Sequence, residues 1–128
     1  MEARTGMDTQ TGGTEHAVLH ARTGWMARCV AGGVPIADFV EVTSSIERWK
    51  DWCAAWSARA AIHEGIGRDA LAAGRGLSAG QHLSTAASCY HFGKFLFCEY
   101  PDEMRVAHGK AVECRTLALP HLSPPGER

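Results

Sequence analysis

Residues 76–80 read Gly-Leu-Ser-Ala-Gly, which satisfies the GxSxG pattern of a serine nucleophile elbow. Asp102 and His108 or His121 follow it in the order serine, acid, histidine. That elbow needs a buried strand directly before it, so that a strained turn exposes the serine. Residues 69–75 are instead alanine-rich and helical in pattern, and no oxyanion-hole segment precedes them. Ser78 therefore reads as a helix N-cap in a glycine-rich turn, and no catalytic residue is assigned. His63-Glu64 opens like the zinc-protease HExxH, but Gly67 stands where the second histidine is required. His63 then reads as a partly buried histidine with a hydrogen-bond partner, or as a cleft residue, since imidazole titrates near neutrality. Tyr90-His91 with Lys94 places three polar tips within one helical turn of Phe92 and Phe95, and Tyr90 and Lys94 share a face. His63, Glu64, Tyr90, His91 and Lys94 are thus the candidates for a substrate cleft or a domain contact.

The five cysteines, Cys29, Cys53, Cys89, Cys98 and Cys114, contain no CxxC pair. The seven histidines offer no i, i+4 pair within one expected helix. No metal site and no cofactor is expected. The thiols read as small buried hydrophobes, reduced, in a cytoplasmic protein.

The elements that must position these residues are helices. Residues 1–24 are polar, rich in Thr and Gly, and read as a disordered or loosely ordered tail without a signal-peptide core. A short helix is expected over Trp25–Ala31, stopped by Gly32-Gly33, and another after Pro35 with Ile36, Phe39 and Val40 on one side. Ser44 and Glu47 have capping-box spacing. After them, positions 46, 49, 53, 56, 60, 63, 67 and 70 form a helical stripe, large residues first and small ones later. A neighbour should therefore approach closely near Gly67. Trp52, Ile66 and Leu71 widen the stripe, and Trp52 lies off its main seam, where a partner could reach it. Ser78 and Gln81 repeat the capping-box spacing, and Pro101-Asp102-Glu103 suits the first turn of a further helix. The expected fold is all-α: three longer helices at about 45–74, 79–97 and 101–119, packed as antiparallel hairpins behind one or two short helices. Residues 25–120 form the domain, and 121–128 read as a linker.

Composition agrees with one helical domain. The chain has 128 residues, 45% hydrophobic, with a net charge of −1. The even charge balance argues against a dedicated nucleic-acid or polybasic membrane binder, and no window is apolar for long enough to span a bilayer.

One series of motifs resembles a known family. In order, they are Trp49-Lys50-Asp51-Trp52-Cys53-Ala54-Ala55-Trp56, His63-Glu64, Ser78-Ala79-Gly80, Tyr90-His91-Phe92 with Lys94-Phe95, Ala107-His108, Ala118-Leu119-Pro120-His121-Leu122 and Pro124-Pro125-Gly126. They resemble the N-terminal helical, cap-like region of bacterial α/β-hydrolases similar to 2,6-dihydroxypseudooxynicotine hydrolase. The resemblance implies a helical region that packs over a catalytic α/β-hydrolase domain and shapes its substrate cleft. It implies that the serine, acid and histidine belong to that domain, reached through the Pro-Pro-Gly stretch and absent from this chain. It also implies a homodimer and a chain that is inactive alone. The alternative is a free-standing helical interaction module. Gly67, Gly74, Ala79, Leu83 and Ala86 fall where a tetratricopeptide unit places small and apolar residues, though only one such unit is visible.

Overall fold

The computed structural model describes residues 17–94 and 100–127. The described residues contain helices and no strand. Helical residues 17–24 (α1) precede α2 (Met26–Ala31) and α3 (Ile36–Ser45). A 3-10 turn, Trp49–Asp51, then leads into α4 (Trp52–Ala72), α5 (Gly76–Lys94) and α6 (Pro101–Ala118), with a last 3-10 turn at Leu119–His121. Gly67 lies against Leu83 and Gly93 against Trp56, so α4 and α5 run antiparallel along their whole length. Helix α6 packs along α5 and also touches α4.

Two glycines make the sharp reversals possible. After α2, Gly33 has φ +102°, with Val34 N–H donating to Cys29 O at 3.0 Å and Gly33 N–H to Val30 O at 3.1 Å. After α4, Gly74 has φ +76°, with Arg75 N–H on Ala70 O and Gly74 N–H on Leu71 O. Both are Schellman endings, in which a left-handed residue lets the next amides satisfy the last helical carbonyls.

The helix starts differ from the sequence expectation. The second long helix begins at Gly76 rather than 79, so Ser78 lies inside α5 and is not its N-cap. The first long helix does not begin near 45. Ser44 belongs to the end of α3, where its hydroxyl donates to Val40 O at 2.6 Å, while Thr43 and Ser45 donate to Phe39 O and Val42 O. Three successive hydroxyls competing for helix carbonyls favour a stop there. Ile46 is extended and α4 starts only at Trp52. On α3, Phe39 is buried, but Ile36 and Val40 face outwards, and Asp38, Val42 and Thr43 face in.

Part of the segment read as a loose tail is ordered helix. In α1, Val18 and Ala21 are buried, and Arg22 Nε donates to Thr43 O at 2.7 Å. At the other end, Gly126 N–H returns to Leu119 O at 2.8 Å, so the stretch read as a linker folds back on the last turn. The expected contributions of Phe95, Leu96, Phe97 and Cys98 lie outside the described residues.

The core has a large and a small part. The large one centres on Phe39, Trp52, Trp56, Ala86 and Cys89, and the small one on Ala70, Ala79, Leu83 and Ala118. Trp52 is fully buried rather than available to a partner; its indole N–H donates to Phe92 O at 3.1 Å. The tight approach expected at Gly67 is present. A Cβ there would lie 2.7 Å from Leu83 Cγ and 3.1 Å from the Leu83 amide nitrogen, whereas a Cβ at Gly65 would meet nothing within 4 Å. Both glycines sit in the same helix, so the two substitutions separate propensity from packing. Gly65→Ala should stabilise the protein by about 0.5–1 kcal/mol through helix propensity. Gly67→Ala should destabilise it by about 1–3 kcal/mol by forcing α4 and α5 apart. Urea unfolding of the two variants measures both signs.

Candidate functional site

Helix α4 carries the polar centre of the molecule, and its consecutive residues His63 and Glu64 point to different neighbours. His63 faces α3. Its Nε2 lies 2.6 Å from Asp38 Oδ2, and Arg59, one turn earlier, donates to Asp38 Oδ1 at 2.8 Å. The second guanidinium nitrogen of Arg59 reaches Glu41 at 2.9 Å. Cys89 of α5 completes the group: one polar atom from each of Asp38, His63 and Cys89 lies within 4.8 Å of the others.

A thiol, an imidazole and a carboxylate are the parts of a cysteine–histidine–acid nucleophile. The environment here does not activate one. Cys89 has no exposed surface. Burial, reinforced by the negative charge of Asp38, pushes its thiol up to about 12 despite the opposing charge of Arg59. A thiolate nucleophile needs the opposite shift.

Glu64 faces α5 and α6. Tyr90 Oη donates to its Oε1 at 2.9 Å, while Arg68 Nε and Lys110 Nζ donate to Oε2 at 2.8 and 2.7 Å. Arg68 also reaches Glu113, and the Lys110 ammonium lies 5.9 Å from the centroid of the Tyr90 ring. Burial alone would raise the Glu64 pKa. Hydrogen bonds from Lys110, Arg68 and Tyr90 outweigh it and hold the carboxyl down to about 2. Burial and the bond to Glu64 in turn push the Tyr90 phenol well above its usual range. Glu64 is therefore an ionised tie between three helices near neutral pH.

His91 and Lys94 stand apart from both clusters. They line a groove of about 340 Å³ between α5 and α6, together with Ser88, His108, Arg115 and Thr116. Lys94 Nζ lies 2.8 Å from His108 Nδ1, and Ser88 Oγ donates to Gly32 O at 2.9 Å. Partial burial, then the charges of Lys94, His108 and Arg115, lower the His91 pKa. His108 is exposed at this groove.

The five sequence candidates thus fall into three places: His63 with Asp38, Glu64 with Tyr90, and His91 with Lys94. Asp38 and Cys89 were not singled out by the sequence. The available signal was an acid among apolar residues, Ile36-Ala37-Asp38-Phe39-Val40, on the inward side of a short helix. The serine-elbow residues do not converge. Gly76 and Gly80 share the face against which His121 packs, and Ser78, two residues from each, cannot share it. Asp102 is exposed and pairs with Arg105.

No helix among the described residues is long and apolar enough to cross a membrane. Cys29, Cys53, Cys89 and Cys114 are buried and free. No family model and no solved structure matches the sequence. The chain is 32% identical over 103 residues to 2,6-dihydropseudooxynicotine hydrolase of Paenarthrobacter nicotinovorans, a stretch that covers 79% of this chain. It spans 27% of that relative's length. The chain is thus similar, over most of its own length, to part of a hydrolase.

Proposed function

We propose that this chain is the helical, cap-like region of an α/β-hydrolase. In this reading it shapes the substrate cleft over a catalytic domain that performs serine-dependent hydrolysis of a carbon–carbon or ester bond. The observation that carries the reading is the 32% identity to the hydrolase, extending over 79% of this chain. The local structure is consistent with a supporting role: GxSxG lies within a helix, and the Asp38–His63–Cys89 grouping has a buried, unactivated thiol. The work left to such a region is to orient substrate and exclude water. Ile62 and Ile66 form an exposed ridge on α4, 57% and 45% accessible, to which another domain can dock. The catalytic domain and a second copy of the chain are the partners this reading proposes, and the cytoplasm is its proposed location. His91 and Lys94 in the α5–α6 groove are its proposed cleft contacts, while His63, Glu64 and Tyr90 hold the helices that present them.

Two measurements test it. The purified chain should hydrolyse neither an activated ester nor a carbon–carbon hydrolase substrate; turnover that vanishes in Ser78→Ala would overturn the reading. A fusion in which this chain replaces the matching segment of the Paenarthrobacter hydrolase should fold and retain hydrolysis that the segment-deleted enzyme lacks. Failure of a well-folded fusion to exceed the deletion would count equally against it.

A further inference from the structure

The Asp38–His63–Cys89 cluster gathers a carboxylate, an imidazole and a thiol at one place in the interior. Three ligand types come from three different helices, α3, α4 and α5, and converge within 4.8 Å. Asp38 is 8% exposed and Cys89 is fully buried. The His63 ring meets Asp38 through Nε2, and its Nδ1 is enclosed with no hydrogen-bond partner. The ring nitrogen that faces the cluster is Nε2, and a cation there would meet the imidazole, the Asp38 carboxylate and the Cys89 sulfur at one centre.

We propose that Asp38, His63 and Cys89 form a binding site for one zinc-like divalent cation, held by a carboxylate oxygen, an imidazole nitrogen and a thiolate sulfur. The donor set is borderline-soft, which suits zinc better than magnesium or calcium. The charges also balance. A carboxylate and a thiolate match a divalent cation, and Arg59, displaced from Asp38, keeps the Glu41 partner it already touches at 2.9 Å. On binding, the Cys89 S–H bond breaks, its proton leaves to solvent, and a metal–sulfur bond forms.

The geometry needs only side-chain motion. Tetrahedral zinc ligands stand about 3.3–3.6 Å apart, given the usual metal–ligand lengths. The 2.6 Å contact between His63 and Asp38 opens slightly, and the widest donor separation, at most 4.8 Å, closes. Water or His82 can take the fourth position; the His82 ring lies near-parallel to His63, with centroids 6.1 Å apart. This site does not depend on the hydrolase reading, because none of its three residues is assigned a cleft contact there.

The test is a titration of the whole chain, reduced and stripped of metal, with cobalt(II) followed by zinc(II). One equivalent of cobalt should bind and produce a thiolate-to-cobalt charge-transfer band in the near ultraviolet, which zinc then removes. Cys89→Ser should abolish the band. His63→Gln and Asp38→Asn should each weaken cobalt binding at least tenfold, and Cys53→Ser and Cys114→Ser should leave it unchanged. No stoichiometric uptake by the parent chain would overturn the proposal, as would a band that survives Cys89→Ser and disappears with another cysteine. If Cys89→Ser loses its helical circular dichroism, the histidine and aspartate variants decide: unchanged cobalt affinity in both would also overturn it.

Discussion

Replacing Glu64 by alanine should lower the stability of this protein by about 3 kcal/mol at neutral pH, read as a fall in the urea midpoint. Glu64 is 7% exposed and accepts from Tyr90, Arg68 and Lys110 at once. Its removal strands a buried phenol and two cations. Arg68 and Lys110 are partly exposed, at 42% and 34% of their side chains, and can turn towards water. The loss should therefore fall at the lower end of the range for a broken buried pair. Glu64→Gln tests the charge separately, because it keeps the shape.

The same carboxylate controls the acid limb of stability. Its folded pKa, about 2, lies below its ordinary value of 4.5. A depressed folded pKa means the unfolded chain takes up the proton first. The stabilisation is complete above pH 4.5 and is lost as pH falls towards 2, by roughly 3 kcal/mol for a shift of this size. Stability of the parent chain should decline through that window, and the decline should be markedly shallower in Glu64→Gln. An identical acid profile in the two proteins would show that Glu64 is not the group responsible.

Trp52→Ala should destabilise the protein by about 3–5 kcal/mol, with a fall in the thermal midpoint of about 10 °C or more. The ring is wholly buried at the start of α4 and lies 5.2–6.0 Å, centroid to centroid, from Trp25, Trp49 and Trp56. Truncation empties the volume of a whole indole in the core and also removes the hydrogen bond to Phe92 O. Trp52→Phe keeps most of the volume and loses only that bond, so its cost should be about 1 kcal/mol or a little more. A small effect from the alanine variant would mean that the surrounding helices collapse into the space.

The pattern of large effects shows what was legible in the sequence. Of the expected stripe, Ile46, Cys53, Trp56, Ala60, Gly67 and Ala70 are buried, Trp49, His63 and Leu71 are partly buried, and Ile66, expected to widen it, is 45% exposed. On α5, Leu83, Ala86, Ala87 and Tyr90 are buried at the same helical spacing. Periodicity is local information, and it locates the centre of each buried face better than its edges. Helix starts were harder, because a Ser-x-x-Glu or Ser-x-x-Gln pair satisfies the same spacing inside a helix as at its cap. Trp52 was misplaced for a related reason: the 3-10 turn at Trp49–Asp51 shifts the phase of the stripe just before it. The polar clusters were the least legible. His63 and Glu64 are adjacent in sequence, but Asp38 and Cys89 lie 25 and 26 residues from His63, and only the packing of α3, α4 and α5 brings them together.

The aromatic end of the core has a spectroscopic consequence. The chain has four tryptophans, and all four rings sit in one connected group around Trp52. Neighbouring indoles at such separations exchange excitation energy, so their emission behaves as one signal from one end of the molecule. The opposite end, built on Ala70, Ala79, Leu83 and Ala118, contains no tryptophan. Loosening of that end alone leaves the emission unchanged while ellipticity falls. Agreement between fluorescence and circular dichroism is thus a direct measure of whether the two ends of α4 and α5 unfold as one unit.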